Sequence, residues 1–91
     1  MSNVFGKAIK KPVEIDFCEA DDVPAIIRWT QSFNDEFDEH FSYNISTTEL
    51  KVKTLEGSSY NVPEDYYIIR GVRGEYYPIE GKIFRETYDI Q

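Results

Sequence analysis

Apolar and polar residues alternate in several short stretches of this chain, a pattern that predicts half-buried β-strands. Residues 12–18 show it plainly, with Val13, Ile15 and Phe17 on one side and Glu14, Asp16 and Cys18 on the other. The alternation returns over residues 41–46 and 49–55. Because successive side chains of a strand point to opposite faces, each stretch predicts a strand with one face on the core and one in water.

The spacing of the apolar residues changes after residue 22 to intervals that predict a helix. Its inward positions are Val23, Ile26, Ile27, Thr30, Phe33 and Phe37. Asp21 and Asp22 offer an N-cap, and Pro24 stands in the first turn, where its missing N–H costs nothing. We predict a helix over residues 23–33 and assign no element to residues 34–40, which are charged and turn-prone.

The second half of the chain predicts strands joined by turns. Glu56-Gly57 is typical of a tight turn into a strand over residues 58–62, and Pro63-Glu64-Asp65 predicts another turn. Residues 66–72 contain a continuous apolar run, which favours a central strand.

The last strand and the tail complete the predicted sheet. Gly71 and Gly74 suit a bulge or hairpin turn into residues 75–79, where Pro78 marks an edge strand or a strand end. The two glycines do not match a phosphate-binding loop, because no lysine-serine pair follows them. We expect the tail to form a short helical turn that contacts the sheet through Ile83, Phe84, Thr87 and Tyr88.

These elements predict one α+β domain over residues 1–91, with residues 1–8 loosely ordered. The expected order is β-α-β-β-β-β, an antiparallel sheet with one helix packed on one face and the helical turn at its end. In such a sheet Tyr66 and Tyr76 would share one face, and Tyr67 and Tyr77 the other.

Composition narrows the function classes. The 91 residues include one cysteine and one histidine, so neither an internal disulfide nor a Cys/His zinc site is expected. No apolar run approaches a membrane span or a signal peptide. The net charge of −7 disfavours direct binding to nucleic acid or to anionic membranes. We predict no enzyme activity and no cofactor, since His40 stands between carboxylates and a phenylalanine without a nucleophile motif.

Four of the five positions 35–39 are acidic, and we call Asp35, Glu36, Asp38 and Glu39 the acidic segment. Their spacing is a poor calcium motif, because the regular carboxylates and the glycine of such a loop are missing. One interpretation is a solvated surface. The other is a mimic of nucleic-acid phosphates that occupies a basic groove on another protein, extended by Glu14, Asp16, Asp21 and Asp22.

A second candidate partner surface combines tyrosine and arginine. Arg70, Arg73, Tyr76 and Tyr77 lie close together in the sequence, and both residue types are enriched in interaction hot spots. The alternative is cross-strand packing, which we expect to account for most of the tyrosines. Whichever of these four side chains the sheet leaves exposed would contribute to binding.

Several motifs together resemble a family of small, mostly uncharacterised bacteriophage and prophage proteins. They are Thr54-Leu55-Glu56-Gly57, Asp65-Tyr66-Tyr67-Ile68-Ile69, Gly71-Val72-Arg73-Gly74-Glu75-Tyr76-Tyr77-Pro78 and Ile83-Phe84-Arg85-Glu86-Thr87-Tyr88, preceded by a lysine-rich entry at residues 10–14. One departure is Pro63-Glu64-Asp65, where the family often has Gly-Asp. The resemblance implies a phage accessory protein in the cytoplasm of an infected bacterium, and it supplies no catalytic residues.

Three functions stay open at this point. The first is a non-catalytic protein that binds a host or phage protein, for example to inhibit a CRISPR-type defence effector through an acidic surface. The second is a protein that sequesters a nucleotide signal in a tyrosine-lined pocket. The third is a virion or assembly accessory protein in which a sheet edge serves self-association. A symmetric homodimer is also an open alternative, although Pro78 and charged strands oppose uncontrolled edge pairing.

Overall fold

The computed structural model describes residues 6–7 and 13–90. Its elements within those residues are β1 Asp16–Glu19, α1 Val23–Gln31, α2 Phe37–His40, β2 Phe41–Asn44, β3 Glu49–Lys53, β4 Ser59–Asn61, β5 Tyr66–Arg70, β6 Tyr76–Glu80 and α3 Gly81–Thr87. The predicted α+β class is confirmed. The expected loose order of residues 1–8 and the expected strand start at Pro12 fall largely outside the described residues.

The strands form two antiparallel sheets where the sequence predicts one. The first sheet has the order β1-β5-β6 and the second has the order β2-β3-β4. The division arises because β5 pairs with the distant β1 on one side and with β6 on the other, and not with β4, its predecessor in the chain. The central place of β5 and the edge place of β6 are as predicted.

Both faces of the first sheet are covered. Cross-strand partners put Cys18, Tyr66, Ile68 and Tyr76 on one face, which packs on the main core. Phe17, Tyr67, Ile69 and Tyr77 lie on the other face, where Phe17 and Tyr67 contact Phe84 of α3. The predicted faces of the four β5 and β6 tyrosines are therefore confirmed. Coverage on both sides also explains why β5 is continuously apolar.

The main core lies between α1, the first sheet and the second sheet. Ile26 of α1, Ile68 of β5 and Val52 of β3 are each fully buried there. The second sheet has one dry face and one wet face, since Leu50 and Val52 are buried while Lys51 and Lys53 are exposed. That alternation is the one the sequence predicts for residues 49–55.

Helix α1 begins as its sequence predicts. The Asp22 carboxylate accepts a hydrogen bond from the Ala25 N–H at 3.0 Å, which satisfies one of the free donors of the first turn. Pro24 occupies the first turn. The regular helix ends at Gln31, two positions before the predicted end at Phe33.

Two of the apolar residues that the patterns place against the core are exposed instead, Val13 and Ile45. Val13 precedes β1, which starts only at Asp16, and its side chain is 46% exposed. Ile45 is 82% exposed because β2 ends at Asn44, whose side chain accepts the Ser46 N–H at 2.9 Å and turns the chain.

The tail forms a helix of seven residues, α3, and not a short turn. Phe84 is buried against the first sheet, as predicted. The Tyr88 ring stacks on the Phe84 ring, with 5.2 Å between the ring centres. Ile83 is 48% exposed, so the expectation that it faces the sheet is wrong. Thr87 is exposed as well. Helical geometry places only one of two adjacent residues on the inner side, and Phe84, with the larger side chain, occupies it.

Candidate functional site

The acidic segment starts where α1 ends. Asn34 has a φ of 61°, its N–H donates to the Gln31 carbonyl at 2.9 Å, and the Asp35 N–H donates to the Thr30 carbonyl at 3.1 Å. These two bonds define a Schellman motif, in which a left-handed residue closes the helix. The motif turns the chain sharply and thereby fixes the direction in which Asp35 leaves the helix.

Asp35 is bound to the first sheet. The Tyr76 hydroxyl donates a hydrogen bond to Asp35 Oδ2 at 2.6 Å, and Arg70 Nε lies 3.6 Å from the same oxygen. The Arg70 guanidinium also lies 4.2 Å from the centre of the Phe33 ring. Asp35 therefore anchors the acidic segment to β5 and β6 by a short bond, an ion pair and the adjoining cation–π contact.

Tyr76 is the hub of this anchor. Its side chain is 1% exposed, and its ring lies 4.8 Å from His40, 5.2 Å from Phe41 and 5.5 Å from Trp29, measured between ring centres. Burial and, to a smaller extent, the hydrogen bond to Asp35 raise the pKa of Tyr76 to about 12. The hydroxyl consequently stays protonated and remains a donor at neutral pH. Tyr76 is thus unable to present its side chain to a partner.

The rest of the acidic segment faces solvent. Glu36, Asp38 and Glu39 are exposed, whereas Phe37 is half-buried and stacks on Phe41 at 5.2 Å. His40 is half-buried against Tyr76. The short helix α2 is therefore held at both ends by aromatic contacts. Three of the four predicted acidic positions form the surface, and the fourth, Asp35, holds it in place.

The remaining predicted partner residues do not all join this surface. Arg73 is exposed in the β5–β6 turn, where its backbone N–H donates to Glu75 Oε2 at 3.0 Å. Tyr77 lies on the opposite face of the first sheet, half-buried. Burial, followed by a hydrogen bond with Tyr88, raises the pKa of Tyr77 to about 12. Tyr77 therefore connects the first sheet to the residue that follows α3.

A cleft at the far end of the first sheet has no counterpart in the predictions from sequence. It has a volume of about 280 Å³ and combines five carboxylates with two cations and two tyrosine rings: Glu19, Asp21, Glu64, Asp65, Glu80, Lys82, Arg85, Tyr66 and Tyr67. Its carboxylates come from three separate parts of the chain, so no local run of acidic residues in the sequence predicts it. We call it the acidic cleft.

Metal-binding groupings are not found in the part of the chain that the structure describes. No set of three or more His, Cys, Asp or Glu side chains there could hold a metal ion. Burial, with Asp22, Glu19 and Asp21 nearby, raises the pKa of the Cys18 thiol to about 11, so the reactive thiolate is scarce at neutral pH. Over the same residues, no helix is long and apolar enough to cross a membrane.

Comparison with known proteins adds no identification. Neither the protein-family models, nor the curated proteins, nor the solved structures include a match to this chain. The functional argument therefore rests on the geometry of the acidic segment.

The raised tyrosine and cysteine pKa values predict a loss of stability at alkaline pH. The pKa of each group is higher in the folded chain than its ordinary value, which applies in the unfolded chain. Its contribution to the free energy of unfolding is therefore complete below the ordinary pKa and is lost as the pH rises through the folded-state pKa. The contribution of Cys18 should be lost between pH 9.0 and about 11, and the contributions of Tyr76 and Tyr77 between pH 10.0 and about 12. Urea unfolding followed by circular dichroism at increasing pH measures this.

The variant Tyr76→Phe/Tyr77→Phe is the matched control for the alkaline effect. It removes both ionising hydroxyls while keeping both rings. We expect a lower stability at neutral pH but a shallower decline above pH 10.0, the ordinary tyrosine value. An unchanged slope would show that other groups carry the alkaline loss.

Proposed function

We propose that this chain is a non-catalytic binding protein that attaches to a basic surface of another protein through the exposed part of the acidic segment. The observation that carries the proposal is the anchoring of Asp35 by Tyr76 and Arg70, which fixes the backbone that presents Glu36, Asp38 and Glu39. A fixed surface binds at a lower entropic cost than a flexible acidic loop. Natural selection for solubility alone would not require such an anchor.

The kind of partner follows from the charge. Three adjacent carboxylates on a chain of net charge −7 attract a basic groove and accelerate the encounter with it. Basic grooves of this kind bind nucleic-acid phosphates. Together with the resemblance to phage proteins, this supports a phage-encoded inhibitor of a host protein, in the first place a CRISPR-type or similar defence effector in the bacterial cytoplasm.

Charge reversal in the acidic segment tests the proposal. Host proteins are captured from defence-proficient bacteria on the immobilised wild-type chain, and the affinity of each captured protein is then measured at low salt. For Glu36→Lys/Asp38→Lys/Glu39→Lys we expect about a thirtyfold weaker affinity, or about 2 kcal/mol. The loss should shrink as salt is added, because exposed charges are screened.

The matched control reverses as many charges in the acidic cleft. In Glu64→Lys/Asp65→Lys/Glu80→Lys the change in net charge is the same, and the three side chains are also exposed. This variant should retain the wild-type affinity to within about threefold. Equal losses in both variants would mean that only net charge matters, and a partner that survives the first variant would contradict the proposal.

The alternative of nucleotide binding is opposed by the composition of the acidic cleft. Tyr66, Tyr67 and Arg85 offer rings and a cation, but the five carboxylates around them would repel phosphates. A thermal-shift screen with cyclic and linear nucleotides tests this alternative directly. The third alternative, a virion accessory protein, remains a prediction that mass spectrometry of purified virions would test.

A further inference from the structure

Strand β4 is an edge strand that carries neither a charged residue nor a proline. Among the described strands it pairs with β3 alone, and its three residues, Ser59, Tyr60 and Asn61, are all exposed. None of them is charged and none is proline. The edges of the first sheet differ, since β1 carries Asp16 and Glu19 and β6 carries Pro78. Charged residues and proline are two of the common means of blocking an edge against pairing, and β4, although short, has neither.

The hydrogen-bond register shows which backbone groups of β4 face outward. The Val62 N–H donates to the Leu50 carbonyl at 2.8 Å, and the Thr54 N–H donates to the Ser58 carbonyl at 3.0 Å. Bonded pairs alternate along an antiparallel ladder, so positions 58, 60 and 62 direct their N–H and C=O groups towards β3. Ser59 and Asn61 therefore direct theirs towards the free edge.

We propose that β4 binds β4 of a second copy of this chain, antiparallel and centred on Tyr60. In that register Ser59 of each copy lies opposite Asn61 of the other, and all the outward groups meet in four backbone hydrogen bonds. Between these two hydrogen-bonded pairs, the two Tyr60 residues lie directly opposite each other as a non-hydrogen-bonded pair. Each Tyr60 side chain is 47% exposed, so it is accessible to a partner strand.

The chemistry of the edge favours a second copy as the occupant. The edge is self-complementary, because small polar side chains oppose each other and a tyrosine opposes a tyrosine, with no like charges directly opposite. The net charge of −7 on each chain opposes association at long range. Added salt should therefore strengthen this dimer, whereas it should weaken the binding of a basic partner by the acidic segment.

The length of the edge sets the strength of the interaction. The ladder with β3 extends from Ser58 to Val62 and Pro63 follows it, so an added strand can pair over about five residues, or about 17 Å. A contact of this size belongs to the small and weak interfaces. We therefore expect a dimer that dissociates on dilution. In this dimer the second sheets of the two copies join into one continuous sheet.

Two double variants test the register. Ser59→Glu/Asn61→Glu places carboxylates opposite each other across the dimer, while within each chain they lie opposite Lys53 and Lys51, so the fold is preserved. Ser59→Glu/Asn61→Lys places opposite charges across the dimer and leaves the net charge unchanged. The dimer dissociation constant is measured by sedimentation equilibrium up to the highest soluble concentration.

We expect the first variant to raise the dissociation constant about tenfold and the second to keep it within about threefold of wild type. Asn61→Pro removes an outward N–H that β3 does not use, so it should abolish the dimer and leave the circular dichroism spectrum intact. A wild-type chain that stays monomeric at every concentration, or two double variants with equal dissociation constants, would overturn the proposal. Neither result bears on the acidic segment, which lies on another element.

Discussion

Replacing Tyr76 by alanine should lower the free energy of unfolding by about 3–5 kcal/mol, the usual cost of removing a large buried ring. The side chain is 1% exposed and contacts the rings of Trp29, His40 and Phe41. A domain of this size has only about 5–15 kcal/mol of stability, so the variant should lose a large share of it. Urea unfolding followed by circular dichroism measures the change.

Tyr76→Phe separates the ring from its hydroxyl. It keeps the aromatic contacts and removes the donor to Asp35, so the expected cost is about 1.5–3 kcal/mol, the value of a hydrogen bond to a charged group. Because Asp35 then keeps only its ion pair with Arg70, the acidic segment should also exchange its backbone amides faster in hydrogen-exchange experiments. A Tyr76→Ala cost below about 1 kcal/mol would contradict the central place of this residue.

Replacing Phe84 by alanine should also lower the free energy of unfolding by about 3–5 kcal/mol, the usual cost of removing a buried aromatic ring. Phe84 is 1% exposed and contacts Tyr67 at 4.4 Å, Phe17 at 5.0 Å and Tyr88 at 5.2 Å, measured between ring centres. A helix of seven residues is too short to be stable alone, so α3 depends on this packing. Its loss would expose one face of the first sheet to water.

The neighbouring residue supplies the control for Phe84. Ile83 lies on the same helix but is 48% exposed, so Ile83→Ala should cost less than about 1 kcal/mol. Both variants are measured by urea unfolding at neutral pH. Comparable losses would contradict the assignment of α3 stability to the burial of Phe84.

The strands and α1 follow from residue patterns because their determinants are local. The alternation around Leu50 and Val52 and the cap formed by Asp22 act within a few residues, so the sequence contains them directly. The division into two sheets does not follow, because it depends on β5 pairing with β1 across a long segment of chain. Pairing between distant strands is a tertiary choice that local propensity does not encode.

The candidate site could be predicted only in part, for the same reason. The run of carboxylates at residues 35–39 is visible in the sequence, and three of its members are exposed. That Asp35 is an anchor depends on Tyr76 and Arg70, which come from the other half of the chain. The alternation of strand positions predicts the face on which Tyr76 lies, but not the burial that separates its side chain from solvent.

The bond between Tyr76 and Asp35 has a consequence for the timing of synthesis. The two residues are 41 positions apart, so the acidic segment is synthesised before its anchor exists. At about 5–20 residues per second, the segment waits roughly 2–8 s for Tyr76 to be added. Chains that terminate before that residue would carry the same carboxylates on an unfixed backbone. The fixed conformation of the acidic segment therefore requires translation to have passed Tyr76.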